Sequence, residues 1–190
     1  MRPYRFMEYT FNMFNKMAAS GLIMCMNNFL KDNTAPPVIL CIGSDLAIGD
    51  SLGPICGTMI KEKRTNAEAF VYGTLTRPVT AKEVKYLNDF IKKTHPQSKI
   101  IAIDAAVGAA GDIGLIKIAN KGLKPGLGAN KRFSSVGDVS IMGIVAEKSV
   151  FNYSLLNLTR LSLVYKMAEI IADAAAAFVS SEQTTYPLAI

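Results

Sequence analysis

The chain has 190 residues, half of them apolar and 19% charged, with a formal charge of +6. These values exclude a disordered linker and predict one folded domain with a substantial core. No apolar run reaches the roughly 18 residues of a spanning helix, so no membrane partner is expected.

Residues 4–31 place Phe6, Met7, Phe11, Met13, Phe14, Met17, Leu22, Ile23, Met26, Phe29 and Leu30 at roughly helical spacing. The pattern predicts an amphipathic helix interrupted at Ser20-Gly21. Its methionine-rich face would pack on the body or support a homodimer. Arg2 and Arg5 precede the apolar stretch 17–26, but Glu8, Asn12, Asn15 and Lys16 intervene and no small-x-small cleavage site follows. A signal peptide is therefore not expected, and a cytoplasmic location is. Cys25, Cys41 and Cys56 are odd in number and lack paired-ligand spacing, so they read as reduced thiols.

Pro36 and Pro37 stop any helix, and Val38 to Ile42 follow as a buried strand. The stretch from Asp50 reads as a helix that tolerates Pro54 in its first turn. Residues 69–75 are strand-like. A helix over 80–95 opens on a Thr80-x-x-Glu83 capping box, with Val84, Leu87 and Ile91 on one face. Residues 98–107 are a second buried strand, expected to end at Asp104. Two more strands are predicted in 112–120 and 138–146. A last helix over about 154–181 carries Leu155, Leu158, Leu161, Val164, Met167, Ile170, Ile171 and Phe178 on one stripe.

Alternating helices and fully apolar strands predict a three-layer α/β fold. It would be a mostly parallel twisted sheet with helices on both faces, and its last strands partly antiparallel. The expected layout is an N-terminal helical segment over 1–33, a single α/β domain over 34–181 and a tail over 182–190.

In such sheets ligands gather outside the carboxyl ends of parallel strands. The Gly-rich acidic turn 43–50 and Asp104 both follow strands, so both should reach that edge. Two converging carboxylates can share a proton, one acting as base on water and the other as acid. Two blander readings stand beside this one. Asp50 could cap the helix that follows it, and Asp104 could be a structural acid bonded to loop amides. Residues 120–133 form a second Gly-rich stretch. They fail the Walker pattern, because no Gly precedes Lys131 and Arg132 follows it. They also fail the dinucleotide pattern, since Lys131 stands where the third Gly belongs. This stretch is either a basic surface loop or a crevice flank in which Lys131 and Arg132 hold a substrate backbone or carboxylate.

The only histidine, His95, lies at the far end of its strand from Asp104. A catalytic triad and a multi-histidine metal site are therefore not expected. Asp50 and Asp104 could offer a divalent metal oxygen ligands, but without a histidine as third ligand no cofactor is expected. A weak further reading places the 74–80 turn with Arg77 near Asp50. Nucleic-acid binding through Lys117, Lys121, Lys124, Lys131 and Arg132 ranks last, because no aromatic residues are interleaved with them.

The stretches CIGSDLAIGDSLGP, VYGTL, IIAIDAAVG, LKPGLGANK and VGDVSIMGIV resemble the YyaC-type sporulation proteins. These are grouped with the spore germination protease and the hydrogenase maturation proteases, and the resemblance runs from about residue 37 to 175. In the germination protease a Gly-Asn turn leads to an Asp followed by Ala-Leu-Gly-Pro. Here Gly43-Ser44 leads to Asp50 followed by Ser51-Leu52-Gly53-Pro54. Its second aspartate, in Val-Asp-Ala, matches Ile103-Asp104-Ala105, and its basic Gly-rich loop resembles Pro125 to Arg132.

The resemblance implies a phosphorylase/hydrolase-like, hydrogenase maturation protease-like α/β fold. It also implies that Asp50 and Asp104 form a catalytic pair for peptide hydrolysis. Gly43, Ser44, Asp45, Lys131 and Arg132 would bind the peptide or protein substrate. The maturation proteases add a downstream histidine that reads nickel in the substrate, and none follows Asp104 here. The germination protease is also much longer and processes itself. The expected function is a small aspartic-type endopeptidase of sporulation or germination. The alternative is a protease-fold binding or regulatory protein without turnover.

Overall fold

The structure, a computed structural model, describes residues 6–63, 69–125, 135–148, 156 and 158–181. Six strands form one sheet: β1 (Glu8–Asn12), β2 (Val38–Cys41), β3 (Phe70–Tyr72), β4 (Ile100–Gly108), β5 (Leu115–Ala119) and β6 (Val139–Glu147). Their spatial order is β1-β5-β6-β4-β2-β3. β6, β4, β2 and β3 run parallel, whereas β5 pairs antiparallel with both β6 and β1. Among the described residues the α-helices are α1 (Ala18–Phe29), α2 (Leu52–Lys63), α3 (Val84–Thr94) and α4 (Leu161–Ser181).

Every residue of β2 is buried, as a strand covered on both faces requires. Ile39, Cys41, Ile101 and Ile103 meet Leu22 and Met26 of α1, Ile55 and Ile60 of α2, and Val164, Met167, Ile171 and Phe178 of α4 on one face. Val38, Leu40, Ile100 and Ala102 meet Val84 and Ile91 of α3 on the other. The three-layer α/β architecture expected from the alternating pattern is therefore present. Leu87 packs partly buried against the same cluster as Val84 and Ile91. Ahead of α3, the Thr80 amide donates to Glu83 Oε2 at 3.0 Å, one half of the predicted capping box.

Four readings of the sequence are corrected. Residues 4–31 are not one helix, because Glu8–Asn12 is an edge strand paired from Glu8↔Ala119 to Asn12↔Leu115. Tyr, Thr and Phe in this stretch favour strand, and β5 offers a free ladder to bond. Nor does Gly21 interrupt α1. It sits within the helix, where a Cβ would run into the Phe11 ring, so glycine lets β1 pack against the helix.

β4 does not end at Asp104. It continues to Gly108 because β6 keeps pairing with it, through a register shift between Ala106 and Val107. The last helix begins at Leu161, and Leu158 and Leu161 are exposed. Its buried stripe starts at Val164, and Leu155 lies outside the described residues.

All three cysteines are buried and free. Burial pushes the Cys41 thiol up to about 12, so it is inert at neutral pH. Among the described residues, no helix is long and apolar enough to cross a membrane.

Candidate active site

β2 has β3 on one side and β4 on the other. The chain leaves β2 through α2 on one face and returns to β4 through α3 on the other. The carboxyl ends of β2 and β4 are therefore the point where the winding reverses, which is where such sheets open a crevice.

Two glycines shape the turn that leaves β2. Gly43 adopts φ +142°, and a Cβ there would collide with the Asp50 carbonyl oxygen. Its amide donates to Val79 O at 2.9 Å, and the Ser44 amide donates to Asp50 O at 3.1 Å. Gly53 lies so close to β2 that a Cβ would strike the Ile42 carbonyl oxygen. The turn is thus folded onto the strand end. Asp50 is carried in a short 3-10 turn, Gly49–Ser51, which packs against β4. Asp50 sits within this turn rather than before it. The N-cap position of this 3-10 turn is Ile48, which makes no side-chain cap.

The β2/β4 ladder stops at Cys41↔Ile103, and Asp104 is the next residue along β4. Asp104 is buried, and its Oδ1 accepts the Ala105 amide at 2.8 Å. Burial holds its carboxyl well above the ordinary aspartate range, the Asp50 charge pushes it further up, and the Ala105 amide opposes both. Burial also raises the half-buried Asp50, against the pull of the Ser44 amide. The structure thus brings the two predicted acids close enough for their charges to oppose. The upward push is the larger at Asp104, the more buried of the two.

The other predicted residues fall as follows. Gly43 is buried with its amide committed to Val79. Ser44 Oγ accepts the Leu46 amide at 3.2 Å. Asp45 is exposed. Lys131 and Arg132 lie outside the described residues. The 74–80 turn adjoins the site through Val79, and the Leu75 amide bonds to Thr58 Oγ1 at 3.0 Å. His95 is occupied elsewhere. It stacks on Phe70 with ring centroids 3.8 Å apart, and its Nε2 is 2.8 Å from the Tyr72 hydroxyl.

Among the described residues no three histidine, cysteine, aspartate or glutamate side chains come together.

Sequence reasoning missed a groove of about 440 Å³ beside the aspartate turn, between α2 and the start of α4. Ile48, Ile55, Met59, Leu75, Leu161 and Tyr165 supply its apolar lining. Residues so far apart in the chain carry no shared sequence signal. Only the packing of α4 against α2 assembles them.

The fold is that of a three-layer α/β protein, with Asp50 and Asp104 following adjacent parallel strands at the switch point of its sheet. Residues 10–174 match the family described as Protein of unknown function (DUF1256), and the chain belongs to that family. It is 41% identical over 138 residues to the uncharacterized protein YyaC of Bacillus subtilis (strain 168), covering 73% of this chain and 67% of the relative. Among solved structures it is similar to the [NiFe] hydrogenase maturation protease HycI from Thermococcus kodakarensis KOD1. That match has a TM-score of 0.48 and 18% identity, and covers 79% of this chain and 97% of the other.

Proposed function

We propose that this protein is a small aspartic-type endopeptidase in which Asp50 and Asp104 activate water against a peptide bond. One observation carries the reading. Two carboxylates 54 positions apart in the chain follow adjacent parallel strands at the switch point, Asp104 the more buried, and the Asp50 charge pushes Asp104 up. Environments that separate two carboxylates divide the acid and base roles between them. Ionised Asp50, the less buried, takes a proton from water as the water attacks the carbonyl carbon. Protonated Asp104 gives its proton to the carbonyl oxygen. Collapse of the tetrahedral intermediate breaks the C–N bond as one of its hydroxyls returns a proton to Asp104, and the proton held by Asp50 passes to the leaving amine. The carboxyl product and free amine leave, and the pair again shares one proton.

The sequence resemblance to sporulation and germination proteins supports a protein or peptide substrate in sporulating or germinating cells. A binding or regulatory role without turnover is favoured by a separate observation, the engagement of His95 by Phe70 and Tyr72. No imidazole is left to join the acids.

The test is a digest of a proteome-derived peptide library, with new termini read by mass spectrometry. Wild type should generate them. Asp50→Asn and Asp104→Asn, shown to be folded by circular dichroism, should each lose about 10²–10⁴-fold in rate. A folded Asp104→Asn that cleaves like wild type would sink the mechanism. Capture of peptides by wild type without any new termini would instead establish the binding role.

A further inference from the structure

The groove beside the aspartate turn points to a class of substrate. We propose that it recognises a short extended peptide segment with a large apolar centre and a lysine or arginine at each end. This rests on the peptidase reading, whose substrate it specifies.

The groove follows α2 from Ser51 at one end to Glu62 at the other. That is about 16 Å at the rise of an α-helix, or roughly five residues of extended chain. Its middle is apolar, lined by Ile55 and Met59 of α2. Leu75, Leu161 and Tyr165 form its walls, and they are 40%, 54% and 53% exposed. A monomer gains nothing by presenting three such side chains on one surface, whereas a bound apolar segment would cover them. The Leu75 wall is fixed, because its amide is tied to Thr58 on α2.

The two ends are acidic in a chain of net charge +6. Asp45 lies at the end next to the catalytic turn and Glu62 at the far end. Among the described residues neither has an ion-pair partner. The cation beside Tyr165, Lys63, is already neutralised by Asp173 at 2.7 Å. Unpaired carboxylates at the ends of an apolar trough complement a basic-apolar-basic segment and repel an acidic one. Asp50 sits in the chain between the lining residues Ile48 and Ser51. A segment held in the trough therefore delivers the peptide bonds beyond its Asp45 end to the acids.

The test uses the full-length Asp104→Asn chain, so that cleavage does not interfere, and three fluorescein-labelled hexapeptides. They are Lys-Ser-Leu-Leu-Ser-Lys, its Glu-ended twin, and a Lys-ended peptide with an all-Ser centre. In fluorescence anisotropy the first should bind about 10-fold more tightly than either of the others. Adding Asp45→Asn and Glu62→Gln should erase the preference for lysine over glutamate. Adding Tyr165→Ala, at an exposed position that leaves the fold intact, should weaken the first peptide about 5-fold. Equal binding of all three peptides, no binding of any, or a charge preference that survives the Asp45→Asn/Glu62→Gln change overturns the proposal.

Wild-type cleavage is read separately. The predicted binding preference without cleavage leaves the groove standing and removes the peptidase reading. Cleavage that ignores these sequence differences removes the groove proposal alone.

Discussion

At the residue scale the site rests on where two aspartates sit. Asp104 was legible as unusual, since an acid directly after four apolar residues is either paired or held neutral. Its partnership with Asp50 was suggested by fold logic and motif resemblance. The sequence left open whether Asp50 caps the helix that follows it, and the structure sets it inside a 3-10 turn packed against β4. The raised Asp104 value has a consequence for stability. The folded chain keeps a proton that the unfolded chain releases near an aspartate's ordinary 3.8. The unfolded state then binds fewer protons, so this contribution is fully present below that pH and is lost as pH rises through the raised folded value. Asp104→Asn carries no such loss. Urea melts should show it level with wild type at pH 3 and more stable by about 0.5–2 kcal/mol at pH 7.5, the trade typical of active-site acids. A gap that does not change with pH would mean that Asp104 titrates normally.

At the element scale, the strands and helices with one clean apolar pattern were readable: β2, α2 and β5 lie where the pattern put them, and α3 starts at Val84, a turn after the expected Thr80. The errors came where pairing overrode pattern. Glu8–Asn12 joined the sheet because β5 exposed a ladder, and β4 ran past Asp104 because β6 stayed alongside it. The glycines of the catalytic turn were visible, but the contacts that require them were not. Gly53→Ala should destabilise by about 1–3 kcal/mol or more, because its Cβ meets strand backbone, not a side chain that can move aside. Gly111→Ala is the control. Nothing lies within 4 Å of its Cβ, and it should be neutral or stabilising by about 0.4–1 kcal/mol. Equal denaturation midpoints for the two variants would remove close packing as the reason for glycine in the turn.

At the scale of the whole molecule, the N-terminal region shares the larger core. Leu22 and Met26 are fully buried in the same cluster as Ile103 and Phe178. Leu22→Ala should therefore cost about 2–5 kcal/mol. The unfolding it promotes should remain a single transition, with circular dichroism and tyrosine fluorescence superimposed. Two separated transitions would show that α1 and β1 melt independently of the rest of the sheet.

The sequence by itself determined the class of fold, the order of its main elements and the two acids worth pairing. These depend on local signals: apolar period, proline and glycine punctuation, and an acid at a strand end. Tertiary structure alone decided that β1 closes one edge of the sheet and that Asp104 lies mid-strand. It also decided that the Asp50 turn packs against β4, which carries Asp104, and that an apolar groove runs along α2. Each of these depends on which distant segments come into contact. A pattern within one segment carries no information about the ladder, the charge or the helix that will be packed against it.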